Sequence, residues 1–318
     1  MLRRILLGLV SLVLAAVVFA AVGLFWAKRA INRIAPPLPT AEQVLAFDAD
    51  ADLPVRLSYV NTGSQPMPRS AVLASGRDPT PKAPYVMSYP SFVLEWADGR
   101  IFLIDLGMDP EEAQAFGRPL EWLGASQLVP HGSTATLLGA DVARVAGVGF
   151  THEHVDHVEG ARDLCLHHPG TIALFQNKLQ VEQSNFTTRP GLAILAEVKC
   201  LQPQILDGGP LLAVPGFPGL AFFAAGGHTP GSQVWVAHVR SGDAVRTYVF
   251  TGDLVNQIDG VRQNLPKPHF YSMLIVPESL KRLEMLRRFL ASLERDHGVT
   301  LLVSHDQLSL EASGISPR

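Results

Sequence analysis

From Ile5 to Ala27 the chain runs for 23 residues without a charge, rich in Leu, Val and Ala, with Arg3 and Arg4 just before the run and Lys28 and Arg29 just after it. As a helix this run is long enough to cross the hydrocarbon core of a bilayer. It is apolar all round instead of along one stripe, which does not suit the half-buried helix of a globular core. Beyond it the patterning changes. Alternation from Val55 to Val60 predicts a strand, followed by a long loop rich in Pro, Ser and Gly from Asn61 to Pro90. Ser91 to Trp96 and Arg100 to Asp105, joined through Ala97-Asp98-Gly99, predict a hairpin. Short apolar runs predict further strands at Val145–Phe150, Val234–Val239, Tyr248–Phe250 and Thr300–Val303, with Ser241-Gly242-Asp243 as a turn between the middle two. From Ser279 to His297, Leu280, Leu283, Leu286, Leu290 and Leu293 recur at helical spacing before Gly298, which predicts an amphipathic helix with a defined stop. Strands in both halves with helices between them predict an α/β fold of two sheets covered by helices.

The composition breaks once. Residues 1–33 form an apolar leader, Ala35-Pro36-Pro37-Leu38-Pro39 reads as a stiff linker, and residues 34–318 read as one domain. Val18-Phe19-Ala20 resembles a signal-peptide cleavage site, but the apolar run continues past it through Leu24, Phe25 and Trp26, so an uncleaved anchor is the favoured reading. Basic residues are balanced on its two sides and give no orientation. All five basic residues of the leader stand without an acid, so residues 34–318 carry a formal −8 although the whole chain carries −3. An acidic domain is a poor match for nucleic acid, which needs a basic face.

Five of the eleven histidines lie in three short motifs. Thr151-His152-Glu153-His154-Val155-Asp156-His157 concentrates imidazoles and carboxylates, which are zinc-binding groups. In an extended segment His152 and His154 point the same way, and a turn after Val155 would send Asp156 and His157 to a second point nearby. Downstream, His228 sits in the glycine-rich Gly226-Gly227-His228-Thr229-Pro230-Gly231, Asp253 follows a strand in Thr251-Gly252-Asp253, and His305 follows another in Ser304-His305-Asp306. Together these seven donors suffice for two metals sharing one carboxylate. A structural zinc site is disfavoured, because such sites are usually closed by thiolates and neither Cys165 nor Cys200 stands at ligand spacing.

The ordered set HxHxDH, GGHTPG, TGD and SHD, preceded by Phe102-Leu103-Ile104-Asp105-Leu106-Gly107, resembles the metallo-β-lactamase fold superfamily of hydrolases over about residues 55 to 306. The resemblance implies an αββα sandwich, here behind an N-terminal transmembrane helix, with a dinuclear zinc site at the edge of the two sheets. It implies that His152, His154 and His228 hold one zinc, that Asp156, His157 and His305 hold the other, and that Asp253 bridges them. Asp105 would support the ligand loop without binding metal. The implied reaction is hydrolysis by a metal-bridging hydroxide, with Asp156 carrying the proton to the leaving group.

For the substrate, the long loop, the HTPG turn and the SHD ending resemble the N-acyl-homoserine-lactone lactonase branch more than glyoxalase II, and point to a lactone or carboxylic ester. That branch commonly carries Tyr three residues after the bridging Asp, where this chain has Asn256, a candidate hydrogen-bond donor to the substrate. Phe270 and Tyr271, in the segment Asn264 to Met273, are candidates for an apolar pocket wall. The alternatives are a thioester hydrolase of glyoxalase II type and an iron-dependent oxidoreductase on the same fold. The partners expected are a small-molecule substrate and, through the leader, a membrane, with the catalytic domain outside the cytoplasm on the periplasmic side. Cys165 and Cys200 are expected to be buried thiols, with a disulfide between them as the alternative outside the cytoplasm. Asn185-Phe186-Thr187 fits a glycosylation sequon, a tripeptide too common to carry weight.

Overall fold

The computed structural model describes residues 2–48, 52–74 and 76–318. Its first sheet collects β1 (Arg56–Pro66), β2 (Val86–Glu95), β3 (Ile101–Ile104), β4 (Val129–Pro130), β5 (Val145–Gly149), β6 (Ile172–Asn177), β7 (Leu201–Leu206) and β13 (Ser316–Pro317). They are ordered β13-β1-β2-β3-β5-β6-β7, with β4 against β1. The second sheet collects β8 (Leu212–Ala213), β9 (Leu220–Ala224), β10 (Gln233–Ser241), β11 (Ala244–Phe250) and β12 (Thr300–Leu302), ordered β12-β11-β10-β9-β8. Phe92 and Phe102 from the first sheet meet Phe222, Trp235 and Phe250 from the second in one buried cluster, so the sheets stack face to face. The outer face of the first sheet buries Val148, Leu103 and Leu174 against Leu164 and Ile194 of covering helices. The outer face of the second buries Val234, Val236 and Val249 against Leu283, Leu286, Leu290 and Leu293. The layering is therefore helix, sheet, sheet, helix, the architecture expected.

The helix of that last layer spans Leu280–His297 and ends at Gly298 in the left-handed conformation (φ 68°). Its first stripe member, Leu280, departs from expectation and lies at the exposed start of the helix. The loop expected from Asn61 to Pro90 is shorter than that, because β1 and β2 pair at both of its ends, from Arg56 opposite Glu95 to Pro66 opposite Val86. Pro90 escaped notice as a strand residue because it lacks an N–H. The register shift between Asn61 and Ser64 falls beside it, where a missing donor costs least.

The N-terminal helix covers Leu2–Ile31, and its apolar stretch is left unburied by the rest of the chain until its last turns. Only its end engages the domain. Ile31 is buried, and the Lys28 ammonium donates to the carbonyls of Ser272 (2.9 Å) and Glu278. Cys165 and Cys200 form a disulfide with a Cα–Cα distance of 5.4 Å, joining the helix Ala161–His167 to the start of β7.

Candidate metal centre

The seven donors singled out from the sequence converge at one edge of the sandwich, each just beyond the C-terminal end of a strand or, for His228, in the turn between β9 and β10. β5 runs into the segment holding His152 and His154 and then into the short helix Val155–Val158, which carries Asp156 and His157. β11 ends before Asp253 and β12 before His305. Gly252 takes a positive φ (50°) with Thr151 so close that a Cβ there would come within 2.6 Å of the threonine Cβ, so the Asp253 turn can press onto the His152 segment only with glycine.

Among the described residues two groups of donors are close enough to hold an ion: His152, His154, His228 and Asp253, and beside it Asp156, His157 and His305. His154 Nδ1 lies 3.0 Å from His152 Nε2 and 3.3 Å from His228 Nε2. A tetrahedral zinc bonded to nitrogens at 2.0–2.1 Å keeps them about 3.3 Å apart, so this triad has the spacing of a ligand set. Asp253 addresses both groups. Its Oδ2 is 3.7 Å from His228 Nε2, and its Oδ1 is 3.3 Å from His157 Nε2 and 3.0 Å from His305 Nε2. Asp156 Oδ2 lies 3.3 Å from His305 Nε2 and 3.7 Å from His157 Nε2. His157 Nε2 and Asp253 Oδ1 are buried without a hydrogen-bond partner, an arrangement that is costly unless a cation satisfies them.

The nitrogen of each imidazole that faces away from the centre is also held, and this fixes which nitrogen is turned inward. His157 Nδ1 donates to Asp105 (2.9 Å), His228 Nδ1 to Glu278 (2.7 Å) and His305 Nδ1 to the Ser88 carbonyl (2.7 Å). Thr151 Oγ1 meets His152 Nδ1 at 3.1 Å, and Thr187 Oγ1 meets His154 Nε2 at 2.8 Å. Asp105 itself adopts a positive φ (59°) and also accepts from Thr151 N and Oγ1, so it ties the end of β3 to the ligand segment. The Glu278 carboxylate accepts further from Lys267 Nζ (2.9 Å) and Ser272.

Burial and neighbouring imidazoles push the His152 pKa well down, and burial with His228 brings His154 to about 3. Burial, then the Lys267 ammonium, lowers His228 as well. These three imidazoles are accordingly neutral, the form that binds metal. For His157 and His305 burial acts in the same direction but is outweighed. Asp105, Asp156 and Asp253 hold His157 well above its usual range, while Asp253 and Asp156 bring His305 to about 9. Burial opposes ionisation of Glu278 too, yet Lys267 and His228 hold its pKa down to about 2.

The three substrate candidates differ in burial. Asn256 is buried, with Oδ1 unpartnered and its carbonyl fixed by the Tyr85 hydroxyl at 2.9 Å. Tyr271 is half-buried with the Lys267 ammonium 5.0 Å from its ring centre, while Phe270 is exposed. Sequence reasoning missed Lys267, Glu278, Ser88 and Thr187, all of which reach the centre from distant chain positions. Thr187 is the last residue of the tripeptide Asn185-Phe186-Thr187. Asn185 of that tripeptide is buried, and its Oδ1 accepts from Thr187.

A model of the metallo-beta-lactamase superfamily matches residues 85–293. No curated protein matches the sequence significantly. Among solved structures, an N-acyl homoserine lactone hydrolase with the product N-hexanoyl-L-homoserine at its catalytic metal centre superposes with a TM-score of 0.60 at 15% identity, covering 83% of this chain and 98% of its own. A dizinc quorum-quenching lactonase in complex with the same type of product gives 0.51 at 15% identity, over 78% and 86%. A probable metal-dependent hydrolase from Staphylococcus aureus gives 0.55 at 13% identity, over 80% and 90%.

Proposed function

Because the chain belongs to the metallo-β-lactamase superfamily and is a metal-dependent hydrolase, we propose that its seven donors hold two zinc ions and that it cleaves a lactone or carboxylic ester. The observation that carries the two-metal reading is Asp253, whose separate oxygens address the two donor groups. Two zinc ions would supply hydroxide at neutral pH and polarise a carbonyl oxygen. The chain's own contributions follow from the geometry. Asp156 is kept ionised, since His157 and His305 outweigh its burial, so it can take a proton at Oδ2 and pass it to the leaving oxygen. Tyr271, whose ring centre lies 5.0 Å from the Lys267 ammonium that holds the Asp253 carbonyl, keeps its phenolic proton, because burial and then Glu278, Asp253 and Asp156 raise its pKa, and it would donate a hydrogen bond to the substrate carbonyl. In this reading Tyr271 supplies the phenol that Asn256 lacks.

Support for the acyl substrate comes from the −8 charge of residues 34–318, which disfavours polyanions, and from the apolar surface around Phe270. The homoserine products bound in neighbouring structures agree with it. The unburied N-terminal helix supports a membrane anchor, and the disulfide supports an oxidising, extracytoplasmic compartment. The test compares a long-chain acyl lactone, a thioester and an activated phosphodiester with zinc-loaded full-length protein. Lactone or ester turnover is expected to be fastest. Preference for the thioester would select the glyoxalase II alternative, and preference for the phosphodiester would overturn the substrate class.

A further inference from the structure

Between the donor cluster and the end of the N-terminal helix lies Phe270–Ile275, which is connected to both. Toward the cluster, Tyr271 rests on the Lys267 ammonium, which donates to the Asp253 carbonyl at 2.6 Å. Ser272 donates to Glu278, the residue that holds His228. Toward the helix, Lys28 grips the carbonyls of Ser272 and Glu278. The stretch shows the reverse of an ordinary surface segment. Ser272 is fully buried, whereas Phe270, Leu274 and Ile275 are 56%, 53% and 47% exposed.

What lies against these side chains is indicated by the helix next to them. Phe25 and Trp26 are also exposed, and Lys28, Arg29 and Arg33 follow. Aromatic rings followed by basic groups mark the level at which a spanning helix leaves hydrocarbon for headgroups. With a rise of about 1.5 Å per residue, Phe25 and Trp26 lie within about 5 Å of Lys28 along the helix axis. Lys28 in turn donates to the Ser272 carbonyl inside the stretch, which brings both sets of apolar side chains to the same end of the helix.

We infer that the metal centre opens at the bilayer surface, with Phe270, Leu274 and Ile275 dipped into the headgroup boundary, and that it draws acyl substrates from the membrane. The occupant of this apolar rim is the bilayer that holds the N-terminal helix. The inference rests on the ester or lactone reading for its chemistry and on the helix as an anchor for its geometry. An acyl chain lying in lipid then reaches the centre past Tyr271 without crossing bulk water.

Both cysteines are locked in the disulfide, so Leu274→Cys in the full-length protein adds a single thiol for an environment-sensitive dye. In phosphatidylcholine vesicles this dye is expected to be quenched by nitroxide-bearing acyl chains and shielded from iodide. The control is Val245→Cys, exposed at the opposite end of β11, about 20 Å from where that strand delivers Asp253; it should behave in the reverse way. Equal iodide quenching at both positions overturns the placement. In a second arm, Leu274→Glu with Ile275→Glu is expected to lower the ratio of kcat/KM for a dodecanoyl over a butanoyl substrate on vesicles by about tenfold. An unchanged ratio overturns the membrane route. If the native enzyme cleaves neither substrate, the ester reading has failed, and the quenching result still decides the placement.

Discussion

Asp253 is the residue on which the centre turns, because it is shared by donor groups supplied from both sheets. Replacing it with Ala removes the shared donor and leaves the Nε2 atoms of His157 and His305 without the carboxylate closest to them. Elemental analysis should fall from two ions per chain to one or fewer, with loss of nearly all hydrolysis. A variant keeping both ions would mean that the groups are closed by other ligands. Glu278 offers a finer test, since it touches only His228 of the ligands. Glu278→Gln keeps a hydrogen-bonding group at His228 Nδ1 but removes the charge that Lys267 neutralises. Affinity for one of the two ions should drop about 10- to 100-fold in chelator competition while the other is retained, the magnitude usual for a group that orients a ligand.

At the level of elements, the helices on the first sheet are pinned covalently as well as by burial. The disulfide closes a loop of 35 residues that contains β6 and the helices Lys178–Glu182 and Arg189–Glu197, and the latter helix is adjacent in sequence to Thr187, the partner of His154. Chain-entropy reasoning gives such a cross-link about 3–4 kcal/mol. Cys165→Ser with Cys200→Ser should therefore lower the urea midpoint of the full-length protein in detergent. Identical midpoints for the oxidised protein and the double variant would show that the bridge contributes nothing. The long helix Leu280–His297 illustrates a second use of an element. Its leucines bury against the second sheet, and its N-terminal side delivers Glu278 to His228 and, through the Ser279 N–H, a hydrogen bond to the Gly227 carbonyl at 2.7 Å.

For the whole molecule, the leader and the catalytic domain are joined by specific contacts as well as by the chain. Arg282 donates to the Pro36 carbonyl at 2.7 Å and Ile34 packs over Gly226 in the His228 turn, so the chain leaving the helix is docked beside the metal centre. An uncleaved anchor predicts that the protein stays with membranes after carbonate washing and that its N-terminal sequence includes the leader. A mature chain starting near Ala21 would replace the anchor with a signal peptide.

The sequence by itself picked out the seven candidate donors, because metal-binding groups are particular residue types and strand ends bring such groups to one edge at short, readable spacings. It also determined the two-sheet architecture, since alternation and helical stripes are local patterns: the hairpin around Asp98 and the stop at Gly298 could both be read from a few neighbouring residues. Only the tertiary structure decided what holds those ligands. Glu278 and Lys267 reach His228 across 50 and 39 positions, Ser88 reaches His305 across 217, and none carries a local signature that separates it from ordinary surface or strand residues. The extended pairing of β1 and β2 through Pro66 and Pro90 was hidden for a related reason. Proline lowers strand propensity locally, whereas the hydrogen bonds that compensate come from a partner strand whose register exists only in the folded chain. The grip of Lys28 on Ser272 and Glu278 belongs to the same class, a contact between residues 244 and 250 positions apart that depends on where folding places the end of one helix.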